Sequence, residues 1–86
     1  MHALDEAREA LERGSPQRAL QLLEAYRIQF QSGSLKPEAA VLEVRALLRA
    51  GDERRARLVG ERVILSAPAS QHAKIVRSLL GLDHNP

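Results

Sequence analysis

The chain of 86 residues contains no cysteine and no tryptophan, and Tyr26 and Phe30 are its only aromatic residues. The absence of cysteine excludes a disulfide framework and catalysis by a thiol. No apolar run approaches the roughly 18 residues that a membrane-spanning helix requires, so no membrane span is predicted within the sequence. A net charge of +2 is too small to indicate nucleic-acid binding by itself.

The abundant residues favour helices. Alanine, leucine, arginine and glutamate are frequent, and these residues lose little rotamer freedom in a helix. Leu4, Ala7 and Leu11 follow one another at spacings of three and four, which places them on one face of a first helix. No segment has the alternating pattern of a strand, so the sequence predicts a single all-α domain. Further positions predicted to face the core are Ala19, Leu22, Leu23, Tyr26, Phe30, Ala40, Val41, Val44, Leu47, Leu48, Ala56, Val59 and Val63.

Glycine and proline divide the sequence into five predicted helices. Pro16 and Pro37 suit the first turn of a helix, where the missing N–H costs nothing. Asp52 and Ser70 are suitable N-caps for the fourth and fifth helices. Gly60 lies inside the fourth helix, and we expect another helix to pack closely against it. The predicted helix ends are marked by Gly14, Gly33, Gly51 and Gly81.

Three segments of the sequence resemble one another. Residues 44–48 read Val-Arg-Ala-Leu-Leu, with a looser copy at residues 7–11 and a closer copy at residues 76–80. A longer match aligns Gly14 and Ala19 with Gly51 and Ala56, at an offset of 37 positions. Self-similarity at such an offset is typical of stacked helical hairpins, so the helix at 37–51 is predicted to be central.

The small residues and turn residues of this repeat resemble those of tetratricopeptide repeats, whose period is about 34 residues. Small residues are needed there because they let the paired helices approach closely. The resemblance rests on a small residue within helix A, a glycine at the turn, an alanine in helix B and a proline after it: Ala7, Val44, Gly14, Gly51, Ala19, Ala56 and Pro68.

This resemblance implies two antiparallel helical hairpins and a C-terminal capping helix in a short right-handed superhelix. The implied boundaries are hairpin 1 at residues 3–32, hairpin 2 at 37–67, the capping helix at 70–81 and a tail at 82–86. The sequence is most similar to the degenerate repeats of bacterial cell-envelope proteins. That similarity implies a non-catalytic interaction or assembly module of a larger bacterial protein. It favours the cell envelope or periplasm as the compartment, with the cytoplasm as the alternative.

An interaction surface is predicted on the face formed by the A helices. Alignment of the three similar segments places Arg8, Arg45 and Arg77 at equivalent positions, and Arg49 and Lys74 are expected to join them. Guanidinium groups bind carboxylates through two parallel hydrogen bonds, so an acidic peptide or the C-terminal carboxylate of another protein is the expected partner. The alternative interpretation is that these arginines are solvated or paired with nearby acidic residues, namely Asp5, Glu9, Glu12 and Glu43.

Two other kinds of association remain open. A homodimer could form through the last helix, where apolar side chains are predicted to be exposed at Ile75, Leu79 and Leu82. Nucleic-acid binding is less favoured, because acidic residues interrupt the densest basic cluster and no aromatic residue is near it. That cluster consists of Arg54, Arg55, Arg57 and Arg62.

The sequence contains no pattern that predicts catalysis or a cofactor. The three histidines, His2, His72 and His84, lack the spacing of metal ligands. Ser70 and His72 lie too close together in sequence to form a nucleophile and base pair, and Ser70 is better explained as a helix cap. Neither a paired-carboxylate pattern nor a glycine-rich phosphate loop is present. We therefore predict a protein that is not an enzyme.

Overall fold

The computed structural model describes residues 3–29 and 37–82. Within these ranges the protein forms five helices and no strand, which confirms the predicted all-α fold. Several predictions lie outside the described residues: those for Phe30, Gly33, His2, His84 and the end of the tail at 83–86. The helices are α1 (Ala3–Glu12), α2 (Pro16–Gln29), α3 (Pro37–Arg49), α4 (Glu53–Ser66) and α5 (Gln71–Leu79).

The helices pack in a regular order. α1, α3 and α5 follow one another side by side, because α3 contacts both α1 and α5. α2 lies against α1 and α3, while α4 lies against α3 and α5. Each helix therefore packs against its neighbour in sequence, and α3 contacts all four of the others.

The ends of α1, α3 and α5 share one type of turn. At the end of α3, Gly51 has a φ of +86°, and its N–H donates to the Leu48 carbonyl at 3.1 Å. The next N–H, from Asp52, donates to the Leu47 carbonyl at 2.8 Å. This pair of hydrogen bonds forms a Schellman motif, which requires a left-handed residue and therefore favours glycine.

The two predicted N-caps are present. An Asp52 side-chain oxygen accepts a hydrogen bond from the Arg55 N–H at 3.2 Å, at the start of α4. The Ser70 hydroxyl accepts from the Ala73 N–H at 3.1 Å, at the start of α5. Each cap satisfies a backbone N–H that the helix itself cannot pair, so the boundaries of both helices are encoded locally.

The buried apolar residues of the described ranges form two clusters, and α3 contributes to both. Eight of its thirteen residues are buried, whereas the sequence predicted one buried face made of residues such as Ala40, Val44 and Leu47. Ala39, Leu42 and Ala46 are buried as well, on the side that packs against α1 and α2. The clusters are Ala7, Ala10, Leu11, Ala19, Leu23, Tyr26, Ala39, Leu42 and Ala46, and Ala40, Val41, Val44, Leu47, Ala56, Val63, Val76 and Leu80.

Gly60 lies where α4 and α5 approach each other closely. A Cβ atom at this position would lie 2.6 Å from Leu80 Cδ1 and 2.8 Å from Val76 Cγ1, well inside van der Waals contact. The expected close approach at Gly60 is therefore confirmed. A glycine in a helix interior costs about 1 kcal/mol relative to alanine, and the tight packing of α5 offsets that cost.

One charged side chain is buried between α2 and α3. Glu43 is only 5% exposed, and both of its carboxylate oxygens accept hydrogen bonds from Arg27 Nη2, at 3.3 and 3.0 Å. A buried carboxylate without a partner would be strongly destabilising. The hydrogen bonds from Arg27 therefore allow Glu43 to be buried. The pair joins α2 to α3 at a defined position along both helices.

We expect the Gly60→Ala variant to lower the free energy of unfolding by about 1–2 kcal/mol, because overpacking outweighs the gain in helix propensity. Chemical denaturation measures the change. In a Leu80→Ala background, which removes the nearest clashing atom, the cost of Gly60→Ala should fall. An equal cost in both backgrounds would mean that the contact with Leu80 is not the cause.

The Arg27→Met variant leaves Glu43 buried without its partner, and we expect a loss of about 1–2 kcal/mol in the free energy of unfolding. Arg13→Met is the matched control, because Arg13 pairs with Glu9 at 2.7 Å where both side chains are exposed. Such an exposed pair contributes less than about 1 kcal/mol. Replacing both members of the pair, as Arg27→Met with Glu43→Leu, should recover most of the loss. Equal costs at Arg27 and Arg13 would contradict a stabilising role for the pair between Arg27 and the buried Glu43.

Candidate binding groove

An open groove of about 330 Å³ lies on the side of the molecule where α1, α3 and α5 run side by side. Among the described residues, none of those that line it comes from α2 or α4. Its volume lies at the lower end of the range for ligand pockets, which runs from about 300 to 1,000 Å³. The groove is lined by Arg8, Leu11, Glu12, Leu42, Arg45, Leu48, Arg49 and Leu79.

Helical periodicity explains why these side chains meet. Arg8, Leu11 and Glu12 are spaced by three and four residues, so they share one face of α1. Leu42, Arg45 and the pair Leu48 and Arg49 have the same spacing on α3. The single contribution from α5 is Leu79, at the last position of that helix.

The groove has an apolar floor and a charged rim. Leu11 and Leu42 are buried, and Leu48 and Leu79 are half-buried. The four charged lining residues, Arg8, Glu12, Arg45 and Arg49, are all exposed. The rim thus carries three guanidinium groups and one carboxylate, which makes the groove electropositive.

The three arginines of the rim differ in how they are held. Arg8 Nη1 lies 3.3 Å from Asp5 Oδ1, one turn earlier on α1. Arg49 Nη1 donates across to the Leu11 carbonyl on α1 at 3.5 Å, at the long limit of a hydrogen bond. The side chain of Arg45 has no hydrogen bond or ion pair with any part of the protein that the structure describes. It is therefore the rim guanidinium most available to a ligand.

Among the described residues that line the groove, Glu12 is the only one with a carboxylate. Arg8 precedes it by four residues on α1, a spacing at which oppositely charged side chains pair in many helices. Arg8 pairs with Asp5 instead, and within residues 3–29 and 37–82 Glu12 has no ion pair. The sequence indicated Glu12 only as a neighbour that would neutralise an arginine. The structure places Glu12 among the residues that line the groove, without an ion pair to Arg8.

Two of the predicted binding residues do not line the groove. Arg77 Nη2 donates to the Pro68 carbonyl at 3.0 Å and so ties α5 to the turn that precedes it. Lys74 is exposed on α5. Of the predicted set, the groove brings together Arg8, Arg45 and Arg49.

The helix ends explain why Arg77 differs from the other two arginines of the predicted ladder. Arg8 precedes Gly14 by six residues and Arg45 precedes Gly51 by six residues, but Arg77 precedes Gly81 by only four. Two residues correspond to about 200° around a helix, so Arg77 lies away from the side of α5 that aligns with Arg8 and Arg45. Leu79, two residues before Gly81, aligns instead with Arg49 and lines the groove. Counting back from the helix-ending glycine would have revealed this difference in the sequence.

The structure also describes the two surfaces that the sequence suggested for self-association and for nucleic-acid binding. Ile75 and Leu79 are half-buried against the domain's own core, and Leu82 is 40% exposed. The basic cluster of α4 is exposed throughout, and within it Arg57 Nε lies 3.8 Å from Glu53 Oε1. Self-association and nucleic-acid binding both stay predictions.

Residues 3–29 and 37–82 contain no group of three or more histidine, cysteine or acidic residues that could hold a metal ion. Among the helices of those ranges, none is both long enough and apolar enough to cross a membrane. His72 is half-buried on α5.

Comparison of the sequence with protein-family models, with curated proteins and with solved structures found no match.

Proposed function

We propose that this domain is a non-catalytic protein-interaction module that binds an acidic segment of a partner protein in the groove between α1, α3 and α5. The observation that carries the proposal is the combination of an apolar leucine floor with an arginine-rich rim. An apolar side chain of the partner packs against the leucines of the floor, and carboxylates of the partner form ion pairs with the guanidinium groups of the rim.

The chemistry of the rim favours carboxylate ligands. Arginine presents planar forks of N–H donors that match a carboxylate and remains charged at every physiological pH. The Arg45 guanidinium is available to a ligand, since within the described parts of the protein it makes no hydrogen bond and no ion pair. Arg8 and Arg49 reinforce the positive field on either side of it, and this field attracts acidic segments before contact.

The size of the groove favours a short segment over an extended surface. A volume of about 330 Å³ accepts one anchoring side chain and its immediate neighbours. Interfaces of this kind obtain most of their binding energy from a few anchors in pockets, with charged groups at the rim setting specificity. The partner segment is therefore a short motif with a large apolar residue beside acidic residues.

The packing order supports a tetratricopeptide-like architecture as part of this proposal. The A helices of such repeats lie side by side and the B helices pack behind them. In this protein α1, α3 and α5 have the positions of A helices, and α2 and α4 have those of B helices. By that resemblance the domain serves a larger bacterial protein of the cell envelope or periplasm. Its groove then forms part of a longer A-helix face.

A selection from a random twelve-residue peptide library on the immobilised domain tests the proposal. We expect the selected peptides to be enriched in Asp, Glu and large apolar residues. Arg45→Glu should weaken a selected peptide at least tenfold, because it replaces the free guanidinium with a repelling carboxylate. Fluorescence anisotropy with the labelled peptide measures the affinity.

Arg62→Glu provides the matched control, because it makes the same charge change at an exposed position of α4 outside the groove. We expect it to leave the affinity within about twofold. Thermal unfolding of both variants checks that the domain stays folded, and neither exposed position should shift stability by more than about 0.5 kcal/mol. Selected peptides that bind Arg45→Glu as well as the native domain would overturn the proposal.

A further inference from the structure

We infer that the segment bound in the groove carries mixed charge: acidic side chains for the arginines and one basic side chain for Glu12. This inference rests on the proposed function and narrows its ligand class from an acidic peptide to a motif that joins an acid, an apolar anchor and a base. The observation behind it is the carboxylate of Glu12, which has no ion pair among the described residues and lies on a rim that is otherwise cationic.

The arginines around Glu12 are directed toward other groups. Arg8 has acidic neighbours at both helical spacings, with Asp5 three residues before it and Glu12 four residues after it. It pairs with Asp5 at 3.3 Å, while Arg49 reaches from α3 to the Leu11 carbonyl rather than to the adjacent Glu12. Both of these rim arginines, one a helical turn before Glu12 and the other bonded to the carbonyl of the residue before it, thus have partners other than Glu12.

A ligand that covers the groove removes water from Glu12. A carboxylate that loses water without gaining a partner is penalised, so a purely acidic segment meets both desolvation and repulsion at Glu12. A lysine or arginine of the ligand removes both penalties. Glu12 therefore discriminates against purely acidic segments, in the way that unpaired charges exclude unsuitable partners at other interfaces.

The helix positions set the distance between the two charges of the ligand. Glu12 lies on α1 and Arg45 on α3, and the axes of packed helices are about 8–10 Å apart. Three residues of an extended segment cover about 10 Å. Because Glu12 also lies one turn further along α1 than Arg8, which aligns with Arg45, the acid and the base of the ligand stand about three to four residues apart, with the apolar anchor between them over the leucine floor.

Three fluorescein-labelled ten-residue peptides with the same central leucine test the inference by anisotropy. The first has glutamates on one side and lysine on the other, the second has glutamates on both sides, and the third has lysines on both sides. We expect the mixed peptide to bind the native domain about fivefold more tightly than the all-glutamate peptide. Its affinity should exceed that of the all-lysine peptide by a larger factor.

Variants of α1 identify the cause of this preference. Glu12→Gln should abolish the difference between the mixed and all-glutamate peptides, and Glu12→Lys should reverse it. Glu6→Gln is the control, since Glu6 is exposed on the same helix and does not line the groove. It should leave the preference unchanged.

The outcomes separate this inference from the proposed function. The inference is overturned if the all-glutamate peptide binds as tightly as the mixed one, or if Glu12→Gln preserves the preference. Should the all-glutamate peptide also lose affinity in Arg45→Glu, the acidic-segment function would stand without the added base. If none of the peptides binds at millimolar concentration, both the inference and the proposed function fail.

Discussion

The burial of α3 on two sides is the constraint on which the rest of the structure depends. Its residues belong to both apolar clusters, one shared with α1 and α2 and the other with α4 and α5. Between Ala39 and Arg49 the only exposed positions are Arg45 and Arg49, and both line the groove. The helix that holds the core together is therefore also the one that presents the free guanidinium. Changes in core packing would move the candidate site directly.

Small side chains make this arrangement possible in a protein with almost no aromatic residues. Alanines that are fully buried occur in every helix, among them Ala7, Ala19, Ala46, Ala56 and Ala73. A small residue at a helix contact lets the two helix axes approach each other. Gly60, which has no side chain, allows an even closer approach between α4 and α5. Close approach gives each aliphatic side chain many neighbours, because protein interiors are packed as densely as organic crystals. The scarcity of large rings thus agrees with a tightly stacked set of short helices.

Local signals in the sequence predicted the helices well, because caps and helix-ending glycines act within a few residues. Asp52, Ser70 and Gly51 behave as their residue types suggest, and the glycine inside α4 correctly indicated a close contact. The sequence did not predict the second buried face of α3. A single apolar stripe at helical spacing accounts for one face only, and it leaves Leu42 and the other alanines without a predicted packing partner. Glu43 was missed as a buried residue for a related reason, since its partner Arg27 lies on another helix and only the tertiary fold brings them together. The sequence predicted part of the groove, since Arg8, Arg45 and Arg49 line it. The match between five-residue segments contains no information about how α5 is rotated about its axis, and this rotation keeps Arg77 out of the groove.

Native-state hydrogen exchange tests the role of α3 most directly. Amide protons in a helix buried on both sides can exchange only when both clusters open, so their exchange reports the global free energy of unfolding. We expect the slowest amides of the described helices to lie in α3, around Val44–Leu47, with α1 and α5 exchanging faster through local opening. If the amides of α3 exchanged as fast as those of α1, while another helix kept the slowest amides, α3 would not be the element that joins the two clusters.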